Sequence, residues 1–158
     1  MNQAQAVRIL IADEHPILLE GLRTLLDAAR GFQVVAEARA PVEVIELTRE
    51  LQPDVLLLGL PMPGLPGLEA VRTLMASCGA ARTILLAIGL EDHEIVDALK
   101  LGARGVVLKE SASDALLLES IRCVMSGGIW AGAKRLPDDS ESRKRIDESG
   151  RRPPPKGS

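Results

Sequence analysis

Three charged residues stand directly after apolar runs and could act together. Asp13 and Glu14 follow the run at residues 7–12, and Lys109 follows the run at 105–108. If both runs are parallel strands of one sheet, their carboxyl ends lie at the edge where open α/β sheets carry their ligands. Acids alone are common on such loops, near helix N-termini. A lysine at the same edge favours a pocket in which Lys109 forms an ion pair with Asp13.

Five short apolar runs predict the strands that position these residues. The runs lie at 7–12, 33–38, 55–59, 83–88 and 105–108, and after each one apolar residues recur at helical spacing. Five βα units in strict alternation predict an α/β fold with a doubly wound, five-stranded parallel sheet in the flavodoxin-like order 2-1-3-4-5 and five helices, a three-layer sandwich. Right-handed crossovers would place the first and fifth helices on one face and the middle three on the other.

Composition sets the limits of the domain. The chain has 158 residues, 46% hydrophobic and 1% aromatic, so aliphatic side chains must build the core. We expect one domain over residues 6–130 and a polar, disordered tail over 131–158. No apolar run approaches the roughly 20 residues that span a bilayer. Together with the absence of an export signal, this predicts a cytoplasmic protein with no membrane contact.

The central stretch carries a family resemblance. Residues 59–69 fit the pattern D-x-x-M-P-x-x-x-G-[LM]-[ED], which follows the third strand of response-regulator receiver domains. The matching residues are Met62, Pro63, Gly67, Leu68 and Glu69. The first position of the pattern, the aspartate that accepts the phosphoryl group, falls on Gly59. The chain therefore resembles a receiver of the CheY-like superfamily that lacks its nucleophile.

Two further segments resemble the same family. Asp13-Glu14-His15-Pro16 is similar to the D-[DE]-H-P of the NarL/FixJ-type subfamily, whose members usually carry a C-terminal helix-turn-helix. Lys109 matches the lysine that contacts the phosphoryl oxygens. In such receivers three carboxylates hold one Mg²⁺, and one of them attacks the phosphorus atom. The resemblance therefore implies that Asp13 and Glu14 are the remnant acidic pair.

The resemblance also identifies what is missing. Gly59 offers neither a nucleophile nor a third carboxylate. Ile88 is assigned the position of the Thr or Ser that swings toward the phosphoryl group, and Val106 the position of the aromatic that follows that swing. We therefore expect no catalytic residue, no cofactor, and very weak or no Mg²⁺ binding. Lys109 should turn to Asp13 or Glu14.

Other candidate residues have structural interpretations. His15 is a helix-start residue, and His93 is a solvated residue of the fourth helix. Asp54 opens its strand and lies at the wrong end of the sheet to replace the nucleophile. Cys78 and Cys123 are buried thiols on opposite faces of the sheet.

These features predict a pseudo-receiver of a two-component system. It would act in signalling and transcriptional regulation without phosphorylation, through contacts with a second copy in a weak homodimer, a related response regulator or a histidine kinase. The receiver itself would not bind DNA. Three alternatives remain open: a receiver segment of a helix-turn-helix transcription regulator, a sensor with a small apolar ligand near Gly59 and Ile88, and a phosphoacceptor that uses Asp13 or Glu14.

Overall fold

The computed structural model describes residues 5–137, in which five alternating strands and helices are followed by two short strands. In chain order they are β1 (Val7–Ala12), α1 (Pro16–Ala28), β2 (Phe32–Ala38), α2 (Pro41–Leu51), β3 (Val55–Gly59), α3 (Leu68–Ala76), β4 (Arg82–Ala87), α4 (Asp92–Lys100), β5 (Gly105–Leu108), α5 (Asp114–Met125), β6 (Trp130–Ala131) and β7 (Lys134–Arg135).

The strands form one sheet in the order β2-β1-β3-β4-β5-β6-β7. The first five are all parallel, which confirms the predicted order 2-1-3-4-5. β3 is a central strand, and each of its five residues is buried. Helices cover both faces of this sheet, which explains why its strands read as unbroken apolar runs.

The predicted number of five strands is wrong, because a hairpin extends the sheet. β6 pairs in parallel with β5, and β7 returns antiparallel to β6. Gly132 opens the two-residue connection with φ of +72°, a conformation that glycine adopts at no steric cost. The sheet therefore continues past the predicted domain limit at residue 130. The predicted disorder of residues 138–158 falls outside the described part of the chain.

Two apolar clusters lie on the two faces of the sheet. One contains buried residues of α1 and α5, such as Leu26 and Ile121, and the other contains residues of α2, α3 and α4. This division confirms the predicted handedness of the crossovers. Cys123 belongs to the first cluster and Cys78 to the second, and both thiols are free.

The start of α5 fixes where Lys109 lies. A 3-10 turn at Lys109–Ser111 follows β5 directly. The N-cap of α5 is Ser113, whose hydroxyl accepts a hydrogen bond from the backbone N–H of Leu116 at 3.1 Å. The turn holds Lys109 at the carboxyl edge of the sheet, beside the ends of β1 and β3. Within residues 5–137, no helix is long and apolar enough to cross a membrane.

Candidate functional site

Residues from three strand ends meet at the carboxyl edge of the sheet. Asp13 follows β1, Gly59 ends β3 and Lys109 follows β5. In the sheet order, β3 and β4 lie between β1 and β5. Lys109 nevertheless reaches Asp13, and its Nζ lies 2.8 Å from Oδ2 of that residue. The structure confirms the expected turn of Lys109 toward the acidic pair.

Asp13 is fully buried, and both of its carboxylate oxygens have partners. Oδ2 accepts from Lys109. Oδ1 accepts from the backbone N–H of His15 at 2.8 Å and lies 3.0 Å from Nδ1 of the His15 ring. The bond to the amide two residues later is an Asx-turn, which leads the chain into α1. The pattern Asp-x-His before a proline could have indicated this turn from the sequence.

The carboxylate of Asp13 fills the space beside Gly59. A β-carbon added to Gly59 would lie 2.7 Å from Cγ of Asp13 and 3.1 Å from the carbonyl oxygen of Ala12. It would come closer still to Oδ2 of Asp13. No side chain at position 59 is therefore compatible with the present position of this carboxylate. The carboxylate of Asp13 therefore occupies the space that a side chain at position 59 would use.

The environment of Asp13 holds its pKa below the ordinary value. Burial is the largest single influence and favours the protonated acid, which would raise the pKa. The hydrogen bond from Lys109, the amide of His15, the charge of Lys109 and the His15 ring act in the opposite direction. Together they outweigh burial and lower the pKa. The Asp13 carboxyl is therefore ionised at neutral pH.

Glu14 and His15 lie at the rim of the site. The side chain of Glu14 is one-third exposed and that of His15 is 61% exposed. Nε2 of His15 lies 3.8 Å from Oε2 of Glu14. His15 is the N-cap of α1, as expected for a helix-start residue. The two residues shield Asp13 and remain in contact with solvent.

Ile88, the proposed switch position, does not lie inside the site. β4 ends at Ala87, and Ile88 follows it with 58% of its surface exposed. Ala87 is buried and pairs with Leu108, the residue before Lys109. By strand alternation, Ala87 lies on the same face of the sheet as the buried Val106. Ala87 is therefore the better candidate, and it too lacks a hydroxyl.

A contact that the sequence analysis missed holds the loop after β4. The backbone N–H of Gly89 donates to Oε2 of Glu110 at 2.9 Å. Glu110 belongs to the 3-10 turn that begins with Lys109. The loop after Ala87 and the turn after β5 are thus connected. The sequence did not indicate this role of Glu110, because its partner is the backbone N–H of Gly89, and a backbone group leaves no residue pattern.

The residues at this edge do not fit the three-carboxylate Mg²⁺ site described above for receiver domains. Mg²⁺ requires near-octahedral oxygen ligands, several of them from carboxylates or water. Here position 59 supplies no carboxylate, and both oxygens of Asp13 already accept hydrogen bonds. The ammonium group of Lys109 lies 2.8 Å from Oδ2 of Asp13, and its positive charge would oppose the binding of Mg²⁺ there.

Elsewhere in residues 5–137, Glu91, His93 and Glu94 bring metal-ligand atoms close together. Glu91 and Glu94 form the capping box of α4, with the backbone N–H of Glu91 donating to Oε1 of Glu94 at 2.9 Å. His93 is exposed, as predicted. Helix capping explains the proximity of these groups.

Asp54 lies at the opposite end of the sheet, as expected, where its Oδ2 accepts from the backbone N–H of Arg8 at 2.9 Å.

Comparisons with known proteins point in one direction. The family model for the response regulator receiver domain matches residues 9–121. The chain is 36% identical over 117 residues to the nitrate/nitrite response regulator protein NarL of Escherichia coli K12, covering 74% of this chain and 54% of that protein. It is 33% identical over 128 residues to the transcriptional regulatory protein DegU of Brevibacillus brevis, covering 81% of this chain and 54% of that protein. The chain thus spans about half the length of these curated relatives.

A solved structure supports the same similarity. The crystal structure of a two-component response regulator of the LuxR family from Aurantimonas sp. SI85-9A1 superposes with a TM-score of 0.73 at 33% sequence identity. The match covers 90% of this chain and 99% of that chain.

We expect Lys109→Ala to lower the free energy of unfolding by about 1–3 kcal/mol, because Asp13 would stay buried without its cation. Lys109→Met should be milder, since it fills the space that alanine leaves. Denaturant melts of both variants beside wild type measure the difference. A Lys109→Ala variant as stable as wild type would show that the ion pair has no structural role.

We also expect the Asp13 ion pair to make stability depend on pH in acid. Its folded-state pKa lies below the ordinary value of 3.8, so its contribution is complete above that value. The contribution is lost as pH falls through 3.8 toward the folded-state pKa. Asp13→Asn should therefore flatten the decline of unfolding free energy in acid while lowering stability at pH 7. Asp27→Asn, which removes an exposed carboxylate from α1, is the matched control for denaturant melts at each pH.

Proposed function

This chain belongs to the family of response regulator receiver domains, and we propose that it is a receiver that works without phosphorylation. The observation that carries this proposal is the buried Asp13–Lys109 pair in the space beside Gly59. The receiver would act in two-component signalling through protein contacts. Its relatives are response regulators and transcriptional regulators, which supports a role in regulation rather than in metabolism.

The chemistry of phosphoryl transfer argues for this proposal. A receiver needs a carboxylate in line with the phosphorus atom and a cation free to meet the developing negative charge. Gly59 supplies no carboxylate. The ammonium group of Lys109 is already paired with Asp13 at 2.8 Å. Both groups that the reaction would use are therefore missing or engaged.

A phosphoacceptor role for Asp13 or Glu14 is disfavoured by their surroundings. Asp13 is fully buried, and neither of its oxygens is free of a hydrogen bond. Glu14 is partly exposed, but the cation of the site is bound to Asp13. An attack by Asp13 would first have to break its bonds to Lys109 and His15.

A small apolar ligand beside Gly59 is disfavoured for a different reason. The space there contains a charged carboxylate, which an apolar molecule would have to displace and leave unpaired. Ile88, the other proposed wall of such a pocket, faces solvent. Neither residue offers an apolar cavity.

The output we propose is a fixed conformation that partners recognise. In switching receivers a hydroxyl moves toward the phosphoryl group and an aromatic ring follows it. Ala87 has no hydroxyl and Val106 has no ring, so this chain lacks both of the side chains that would move. Partners would be a second copy, a related response regulator or a histidine kinase. Because the chain spans about half the length of its curated relatives, a longer protein with a DNA-binding segment is the second proposed context.

The direct experiment is incubation with acetyl phosphate and Mg²⁺, followed by intact mass measurement. We expect no phosphoryl adduct on the wild-type chain, because position 59 has no nucleophile. The Gly59→Asp variant tests whether the assay can detect an acceptor at this position. A stable adduct of one phosphoryl group on the wild-type chain would overturn the proposal.

Restoring the aspartate should reveal what the ion pair replaced. Gly59→Asp must displace the Asp13 carboxylate, so we expect a less stable protein that Mg²⁺ restores, since three carboxylates then face one lysine. Gly59→Ala creates the same clash without the charge, and Mg²⁺ should not rescue it. Denaturant melts with and without Mg²⁺ separate the two variants. Equal rescue of both would contradict the assignment of the metal position.

Switching should need a further change. In the Gly59→Asp background, we expect phosphorylation to alter dimerisation only when Ala87→Thr is added, because a hydroxyl is required to follow the phosphoryl group. Adding Ile88→Thr instead is the matched control, since that side chain faces solvent. Size-exclusion chromatography with light scattering measures the change. If Ile88→Thr restores switching and Ala87→Thr does not, the assignment of Ala87 is wrong.

A further inference from the structure

The surface formed by α4 and the loop before it combines exposed aliphatic side chains with acids. Ile88 is 58% exposed and Val96 is 46% exposed. The carboxylates of Asp92 and Asp97 are exposed and form no salt bridge within residues 5–137. Apolar side chains rimmed by polar ones are a common feature of docking surfaces. We propose that a basic segment of this same chain, residues 143–146, docks on this surface.

Helical spacing places Val96 among charged neighbours. Asp92 lies four residues before it and Lys100 four residues after it, so the three side chains share the exposed side of α4. The buried residues of the helix, Ile95 and Ala98, face the sheet. A docked segment can therefore contact Val96 with an aliphatic side chain and Asp92 with a cation.

The charge of this surface is negative. Four acids and one lysine give residues 88–100 a net charge of −3, with histidine neutral. Glu110 adds a further carboxylate beside the loop, because its Oε2 accepts from the backbone N–H of Gly89 at 2.9 Å. A partner for this surface therefore needs positive charge together with an apolar group.

The segment at residues 143–146, which lies outside the described residues, has this composition. Arg143, Lys144 and Arg145 are three consecutive cations, and Ile146 follows them directly. Ile146 is the only large aliphatic residue in the sequence from 138 to 158. Opposite charges on the two surfaces guide the encounter and set its register.

The β6–β7 hairpin brings the segment within reach of α4. A β-carbon added to Gly132, in the hairpin connection, would lie 3.7 Å from Cδ1 of Ile95, so the hairpin packs beside α4. The described residues end at Pro137, and the six residues from there to Arg143 span at most about 20 Å. The nine residues of α4 are only about 14 Å long.

The order of charges along the chain agrees with this path. Lys134 and Arg135 are exposed in β7, and the acids Asp138, Asp139 and Glu141 come shortly after them. The basic segment follows these acids. An acidic stretch near the basic hairpin and then a basic stretch on the acidic surface of α4 keep opposite charges together.

Another helix offers a similar surface at a greater distance. Val42 of α2 is 65% exposed, and the exposed Glu46 lies one turn after it. However, α2 packs on β1 and β2, at the opposite edge of the sheet from β7. A segment that starts at β7 meets α4 first, and α2 supplies the matched control.

The test measures paramagnetic relaxation in the full 158-residue chain. A nitroxide attached at Ser149→Cys labels the chain three residues after Ile146. The native thiols of Cys78 and Cys123 are buried, and burial raises their pKa, so they react poorly with the label. We expect strong attenuation of the amide NMR signals of Asp92–Lys100. The attenuation should weaken in 1 M salt, which screens exposed ion pairs.

Variants of the segment separate docking from mere closeness of the label. Arg143→Gln/Lys144→Gln/Arg145→Gln should reduce the attenuation at α4 about threefold or more, since the ion pairs are lost. Arg151→Gln/Arg152→Gln removes two cations that have no aliphatic neighbour, and the attenuation should stay unchanged. Equal attenuation in both variants would overturn the proposal.

Variants of the surface test the other side of the contact. Asp92→Asn/Val96→Ser should reduce the attenuation as the triple variant does, whereas Val42→Ser/Glu46→Gln on α2 should not. A larger effect of the α2 variant would overturn the assignment to α4. Attenuation of an isotope-labelled chain by a separate nitroxide-labelled chain would show docking on a second copy and overturn docking within one chain. None of these measurements depends on whether the chain can be phosphorylated.

Discussion

The ion pair between Asp13 and Lys109 is the interaction on which the carboxyl edge of this sheet depends. A fully buried carboxylate is tolerated only when a cation and further donors satisfy it, because desolvation alone is expensive. Here Lys109, the amide of His15 and the His15 ring supply those partners. Lys109 must reach past the ends of β3 and β4, which are Gly59 and Ala87. Small residues at both ends are consistent with this path.

The cation at this edge of the sheet is paired within the chain. In a receiver that accepts a phosphoryl group, the lysine and the metal stay available for charge that arrives from outside. In this chain the positive charge of Lys109 is already matched by the Asp13 carboxylate at 2.8 Å. The tie between Gly89 and Glu110 further connects the loop after β4 to the turn that carries Lys109. These contacts connect the ends of β1 and β5 and the loop after β4.

The sequence predicted the elements well and the details of the site less well. The apolar runs gave the order of the first five strands, because buried parallel strands have a strong pattern and right-handed crossovers leave few topologies. The β6–β7 hairpin was missed, since two-residue strands carry no periodicity, although Gly132 before Ala133 was a turn signal. Ile88 was assigned by counting to a strand end that the structure places at Ala87. That Asp13 fills the space beside Gly59 depends on a side-chain rotamer, which no spacing rule specifies.

The two ends of β3 differ in how their polar groups are satisfied. At the Gly59 end, both oxygens of the buried carboxylate of Asp13 have partners within the chain. At the Val55 end, charged side chains bond backbone groups: Oδ2 of Asp54 accepts from the amide of Arg8, and Nη1 of Arg8 donates to the carbonyl oxygen of Gln52. A hydrogen bond to a backbone group fixes the path of the chain, whereas an ion pair between two side chains must also balance their charges. The Gly59 end is therefore the end of β3 whose structure depends on a pair of opposite charges, and the loss of either charge leaves the other without its partner.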